Sequence, residues 1–312
     1  MTPDQDLERR TRQVFHGIHL AHLENPDVCA RHAGVIEPER MGLPPDFLTG
    51  LKCADLGCGS AVHGTVNMLA LGAGSVNAMD LDESFIEPAE SRLRDSFSFH
   101  DRWQLDIGSL MALPYPDKCF DFVLCVGVIH HVADDRKALT EIHRVMKPGA
   151  RAYLSVAGRG GLLNRLFLEL LRDEWKHNPE MREIVTAQKL EAWIKQQLSD
   201  LKGMIENDHE ESYSASIALL DSLSKLIDND LVLSIIDVVE APIYRAYAED
   251  EWFSLLDASG FRDYYRFFKQ PKYKNVRKIF APLYKECNHP LARLLYNTGY
   301  MNVVVTKSVS GS

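Results

Sequence analysis

Three acidic residues in the first third of the chain each stand where a short apolar run gives way to a turn. The first is in Cys53-Ala54-Asp55-Leu56-Gly57-Cys58-Gly59-Ser60-Ala61. Glycines at 57 and 59 permit a tight strand-to-helix turn and let the backbone approach a ligand closely. The stretch is not a dinucleotide fingerprint, because Val62 stands where G-x-G-x-x-G needs its third glycine. Asp80 ends the next apolar run, and a carboxylate there can accept hydrogen bonds from both hydroxyls of a ribose. Its neighbours Asp82 and Glu83 suit the cap of the following helix. Asp106 ends a third run, where it can meet an adenine amino group while Ile107 packs on the ring. Helix capping is the competing reading of each residue alone, but three acidic strand ends in successive units point to one crevice.

Histidines supply the next candidates. His130 and His131 follow the apolar run 120–128 and suit a general base or a substrate hydrogen bond, since imidazole titrates near neutrality. The alternative is packing against a cofactor or capping of the next helix. His63, beside the glycine turn, reads as structural. His16, His19 and His22 share adjoining parts of one helix face, with Cys29 and His32 beyond. Without a compact Cys/His cluster they read as a polar helix face covering the site, and no metal site is expected.

The elements that must position these residues show in the periodicity. Runs at 51–57, 75–81, 102–107, 120–128 and 150–157 read as strands. The intervening stretches 62–72, 83–94 and 135–146 read as helices, the last closed by Lys147-Pro148-Gly149. The near-continuous apolar run at 120–128 suits a central strand covered on both faces. Such alternation predicts an α/β fold with a parallel sheet. From about 161 to 240 the period is helical throughout. Strand–helix order resumes with a helix at 250–261 and strands near 263–268 and 301–309. The expected domains are an N-terminal helical cover (1–49), a core (50–160), a helical insertion (161–245) and the rest of the core sheet (246–312).

Charge and composition narrow the class. The 312 residues are 46% hydrophobic and 25% charged, an ordinary globular mixture, and the net charge is −9. Residues 171–250 hold 8 basic and 17 acidic side chains, whereas residues 262–312 hold 10 basic and 2 acidic. Arg262–Lys278 interleaves seven basic residues with Tyr264, Tyr265, Phe267, Phe268 and Tyr273. That pattern can clamp nucleic acid. The plainer reading is a strand with core-facing aromatics followed by a basic helix facing the acidic insertion, and the overall charge argues against nucleic acid. No apolar run reaches the ~20 residues of a membrane helix. The six cysteines show no CxxC and, with no export signal visible, read as reduced thiols of a cytoplasmic protein.

In combination, the segments DLGCGS, AMDLDESFIEPA, LDIGSLMALPYPDKCFDFVLCVGVIHHVAD and ALTEIHRVMKPGARAYLSV resemble the class I S-adenosylmethionine-dependent methyltransferases. The likeness is to the branch that includes the ubiquinone- and menaquinone-biosynthesis enzymes. It covers about 50–158 and again 248–309. Ala61 departs from the pattern, where many relatives carry glycine. The insertion matches nothing in the family. The resemblance implies a doubly wound, mostly parallel seven-stranded Rossmann-like sheet with its last strand antiparallel, here carrying an all-helical inserted lid. It implies S-adenosyl-L-methionine as cofactor, with S-adenosyl-L-homocysteine as product. Asp55, Gly57 and Gly59 would hold the methionine moiety, Asp80 the ribose, Leu81, Asp106 and Ile107 the adenine, and Val126 and Gly127 would lie beside the transferring methyl. The expected reaction is methyl transfer to a small-molecule O, N or C nucleophile in biosynthesis or secondary metabolism. RNA or protein methylation and non-catalytic cofactor binding are the alternatives. The return from the insertion through Pro242–Tyr247 would bring Tyr244, Arg245 and Tyr247 to the acceptor. There Arg245 could grip an anion or pair with a lid carboxylate.

Overall fold

The computed structural model describes residues 3–24, 34–97, 101–159, 161, 168–186, 189–207, 214–226, 238–267 and 299–309. Its centre is a seven-stranded sheet of order β3-β2-β1-β4-β5-β7-β6. The strands are β1 (Lys52–Leu56), β2 (Ser75–Asp80), β3 (Trp103–Ile107), β4 (Phe120–Val126), β5 (Met146–Ala157), β6 (Asp263–Phe267) and β7 (Tyr300–Thr306). β1 to β5 pair in parallel, and β7 runs antiparallel to both β5 and β6. Crossovers are made by α2 (His63–Ala70), α3 (Ile86–Ser96) and α4 (Asp135–Val145). The N-terminal helix is α1 (Pro3–Glu24), and α9 (Glu249–Ala258) leads into β6.

The sheet is covered on both faces, and strand alternation decides which side chain goes where. In β4, Val123 and Cys125 join one buried layer with Leu139 and Ile142 of α4 and Trp252 and Leu256 of α9. Phe122 and Leu124 join the opposite layer with Met68 of α2 and Leu93 of α3. The sheet's polar interior is pinned at one point. Asn302 Oδ1 accepts from the Tyr153 hydroxyl at 2.8 Å and from Ser155 Oγ at 3.0 Å.

β5 starts earlier than the sequence suggests. Lys147-Pro148-Gly149 does not separate helix from strand; Met146 already pairs with Phe120, and Arg151 pairs with Phe122. The residues between form a bulge, with Gly149 at φ +78°.

The segment between β5 and α9 is helical where described: α5 (Leu170–His177), α6 (Pro179–Thr186), α7 (Leu190–Asn207) and α8 (Ser214–Leu226). It has a small core of its own, completed by α1. Ile18 is buried with Val185, Leu190 and Val239, and Val14, Phe15, Trp175 and Trp193 pack around them. Arg172 in α5 donates to the carbonyls of Val238 and Ala241, tying the start of the insertion to its return. Residues 268–298 lie outside the described residues, and with them most of the basic–aromatic stretch. Cys53, Cys58, Cys119 and Cys125 are free thiols; Cys29 and Cys287 lie outside the described residues. No helix among the described residues is long and apolar enough to cross a membrane.

Ile18→Ala should therefore loosen α1 without harming the sheet. A buried Ile-to-Ala truncation costs ~2–5 kcal/mol, so amide exchange in α1 should accelerate while β4 and β5 stay protected.

Candidate active site

The turn after β1 is folded back onto the end of β2. The amides of Gly57 and Cys58 both donate to the Met79 carbonyl, at 2.7 and 3.1 Å. The Gly59 amide donates to Asp80 Oδ2 at 2.9 Å, and the Asp82 amide donates to Asp80 Oδ1 at 3.1 Å. Gly57 has φ +77°, and a Cβ there would lie 2.4 Å from Val128 Cγ2. Glycine is required at 57 on both counts. Val62, just before α2, is left-handed too, at φ +40°. A β-branched residue there is strained, and it occupies the position where the dinucleotide fingerprint would have glycine.

Asp55 lies beneath this turn rather than in the crevice. Its Oδ2 accepts from Thr65 Oγ1 at 2.8 Å, and a Cβ on Gly64 would lie 2.6 Å from the same oxygen. The first turn of α2 thus sits directly on the carboxylate. Burial pushes its pKa up to about 6; the Thr65 hydrogen bonds oppose the rise and the nearby Asp80 adds to it.

A cavity opens at the carboxyl ends of the parallel strands. Of the residues expected at the site, Gly57, Asp80, Leu81, Val126, Gly127 and His131 line it. Gly127 has φ +81° and nothing within 4 Å of where its Cβ would be, so its backbone is open toward a ligand. Gly59, like Asp55, acts from behind the wall. The wall after β3 differs from the expectation. Asp106 is turned away and takes hydrogen bonds from Asn77 at 3.1 Å, Gln104 at 2.6 Å and the Tyr115 hydroxyl at 2.9 Å. Ile107 is 53% exposed and does not line the cavity. Gly108, Ser109, Leu110 and Met111, the next four residues, do.

The roof is α1, which presents Leu7, Glu8, Thr11, Arg12 and Phe15 at helical spacing. Ser109 donates to Glu8 across the opening. His16 Nδ1 lies 2.9 Å from Asp82 Oδ2 and 2.7 Å from Ser84 Oγ. Burial alone would raise the Asp82 carboxyl, but hydrogen bonds from Ser84 and His16 hold it below the ordinary carboxylate value. The side chains of His19 and His22, and all of Cys29 and His32, lie outside the described residues. Among the described residues no group of three His, Cys, Asp or Glu could hold a metal.

The two histidines after β4 have different surroundings. His131 lines the cavity, and Phe15 of α1 packs edge-on against its ring at 4.7 Å. Its Nδ1 lies 2.8 Å from the Ile243 carbonyl. A carbonyl only accepts, so Nδ1 carries the proton and Nε2 is the acceptor of the neutral ring. His130 is fully buried behind it and does not line the cavity. Burial, then the neighbouring His131, hold its pKa well below the ordinary imidazole value, so it is neutral.

The return segment supports this loop and leaves the cavity wall to others. Arg245 donates to the carbonyls of Val132 and Ala133, the latter at 2.7 Å. Its guanidinium is thus spent on backbone, and among the described residues no carboxylate of the helical segment pairs with it. The Tyr247 hydroxyl donates to Asp135 Oδ2 at 2.7 Å. Tyr244 stands edge-on to His130, 5.7 Å between ring centres. None of the three lines the cavity. His63 Nδ1 lies 3.3 Å from Arg92 Nη2, beside the glycine turn.

Sheet order, the glycine turn and a crevice at the strand ends are those of the Rossmann-like methyltransferase fold. Residues 54–154 match the family described as a methyltransferase domain. Methyltransferase GfsG of Streptomyces halstedii is 33% identical over 162 residues, which are 51% of this chain and 58% of that protein. Demethylmenaquinone methyltransferase of Symbiobacterium thermophilum is 33% identical over 106 residues, 34% of this chain and 42% of that one. The chain thus spans roughly half the length of these relatives. In the solved structures, the 1,6-didemethyltoxoflavin-N1-methyltransferase of Burkholderia thailandensis, with bound 1,6-didemethyltoxoflavin and S-adenosylhomocysteine, shares the fold. The TM-score is 0.51 at 16% identity, covering 99% of this chain and 92% of that one.

Asp55 gives a test of the buried floor. Its folded pKa of about 6 lies above the ordinary 3.8, so the folded chain holds this proton more tightly than the unfolded one. Its favourable contribution is complete below pH ~4 and is lost as pH rises toward 6. Asp55→Asn should raise stability at pH 7 by ~2 kcal/mol, with the gain vanishing near pH 4 in denaturant titrations at both pH values.

Proposed function

We propose that this protein is a cytoplasmic enzyme that transfers the methyl group of S-adenosylmethionine to an O, N or C nucleophile of a small molecule. One observation carries the reading: a single cavity holds Asp80 at one side and the His131 ring at another, beneath α1. The residues suit the cofactor. Asp80 keeps lone pairs for a ribose after accepting two amides. Leu81, Leu110 and Met111 offer apolar surface to a purine. The cradle at Gly57 is one that a side chain would fill.

S-adenosylmethionine supplies an electrophilic methyl on a cationic sulfur. The chain's own work is to align, to exclude water and to manage a proton. α1 and the apolar side chains of Phe15, Val128 and Val132 keep water from the crevice. Gly127, having no side chain, leaves the space beside β4 open for the approach of the nucleophile. His131 Nε2 accepts the proton of a protonated nucleophile, and the Ile243 carbonyl holds the ring in the tautomer this requires. His130 is a packing residue in this scheme, because a buried neutral ring outside the cavity cannot reach the acceptor. The insertion, through its shared core with α1, serves as the outer cover and bears on acceptor choice.

The acceptor is found by incubating a metabolite extract with the protein and isotopically labelled S-adenosylmethionine and reading labelled products by mass spectrometry. Absence of S-adenosylhomocysteine binding by calorimetry overturns the proposal. Asp80→Ala should weaken that binding by ~1.5–3 kcal/mol, the value of a charge-assisted hydrogen bond. With the acceptor in hand, His131→Gln should lower kcat by ~10²-fold or more and abolish the acid limb of the pH–rate profile, with nucleoside affinity unchanged.

A further inference from the structure

Arg12 lines the cavity, and the proposed reaction does not use it. It sits on the crevice face of α1, one turn from Glu8 and one turn from Phe15 and His16, and lines the cavity. It makes no ion pair or hydrogen bond with any described residue. The nearby carboxylates are engaged elsewhere: Glu8 by Ser109, Asp82 by His16 and Ser84, Asp80 by the Gly59 and Asp82 amides. Around it the cavity is mainly apolar, with Leu7, Phe15, Leu110, Met111 and Val132 among its walls. Among the described residues nothing claims its donors, which are open to a ligand anion.

We infer that Arg12 is the recognition residue for a carboxylate on an otherwise apolar acceptor. The inference rests on the methyltransferase reading above and names its substrate class. The guanidinium presents a planar fork that matches a carboxylate in two-pronged fashion. Charge favours the acceptor as the source of that carboxylate. The cofactor's amino-acid end is zwitterionic and brings no net negative charge of its own. An acidic acceptor brings a full negative charge to the fork. The aliphatic walls then take the rest of the molecule and bring its nucleophile toward His131.

The test uses the full chain and paired probes, octanoate and 1-octanol, with S-adenosylhomocysteine and 5′-methylthioadenosine as nucleoside ligands. In calorimetry the wild-type protein saturated with S-adenosylhomocysteine should bind octanoate about tenfold or more tightly than octanol. Arg12→Met should erase that preference and leave both nucleosides binding as before. Arg12→Lys, which keeps the charge, should restore part of the preference and so exclude a merely unfolded α1. A wild-type protein with no preference, or a preference that survives in Arg12→Met, overturns the inference. So does a variant that loses S-adenosylhomocysteine but keeps 5′-methylthioadenosine, since Arg12 would then serve the cofactor's own carboxylate. If the wild-type protein binds neither nucleoside, the methyltransferase reading fails instead, and the octanoate comparison without nucleoside still reports on Arg12.

Discussion

The molecule depends on one constraint, the return of the Gly57–Gly59 turn onto the end of β2. Two amides converge on the Met79 carbonyl and a third reaches the Asp80 carboxylate. This fixes the separation of β1 and β2 at their carboxyl ends and so sets the width of the crevice. The same fixation puts Val128 against Gly57 and leaves no room for a side chain. Asp80 is therefore first of all an anchor for the turn. A carboxylate has about four lone-pair sites and this one gives two to the backbone, so the remaining pair is aimed by the anchoring bonds themselves.

The sheet was legible because its signals are local. The unbroken apolar run of β4 reflects burial on both faces, and acidic residues do mark the strand ends. The start of β5 was not legible. Lys147-Pro148-Gly149 carries the composition of a helix stop, and only the partner strand shows that the chain is already paired there. The wall after β3 was misread by a few residues for a related reason. Asp106 has the expected position along the strand, but its side chain falls to the Asn77 and Tyr115 side. The usable signal was Gly108, where a Cβ would stand 2.7 Å from Met79 Sδ. The roles of Glu8 and His16 left no local trace, since their partners lie in turns far along the chain.

The His130-His131 pair shows how little a dipeptide decides. Adjacent identical side chains take opposite fates because the short helix Ile129–His131 turns one toward the cavity and the other into the interior. Arg245 makes the same point from the other direction. Its charge invited an anion, yet the Val132 and Ala133 carbonyls claim the guanidinium. What Arg245 does is hold the loop that carries His131, a positional contribution that residue type alone does not announce.

α1 belongs at once to the crevice roof and to the insertion's core, with Phe15 in both. Occupancy of the crevice and cohesion of the insertion are thereby linked quantities. A ligand that binds only when α1 is seated adds its free energy to the seating of the inserted helices. By thermodynamic reciprocity, anything that firms up those helices tightens the ligand by the same factor. The two ligands of a transfer reaction, meeting beneath one helix, would then bind cooperatively even without touching. Product departure would be timed by the release of a helix whose outer face is packed into another part of the protein.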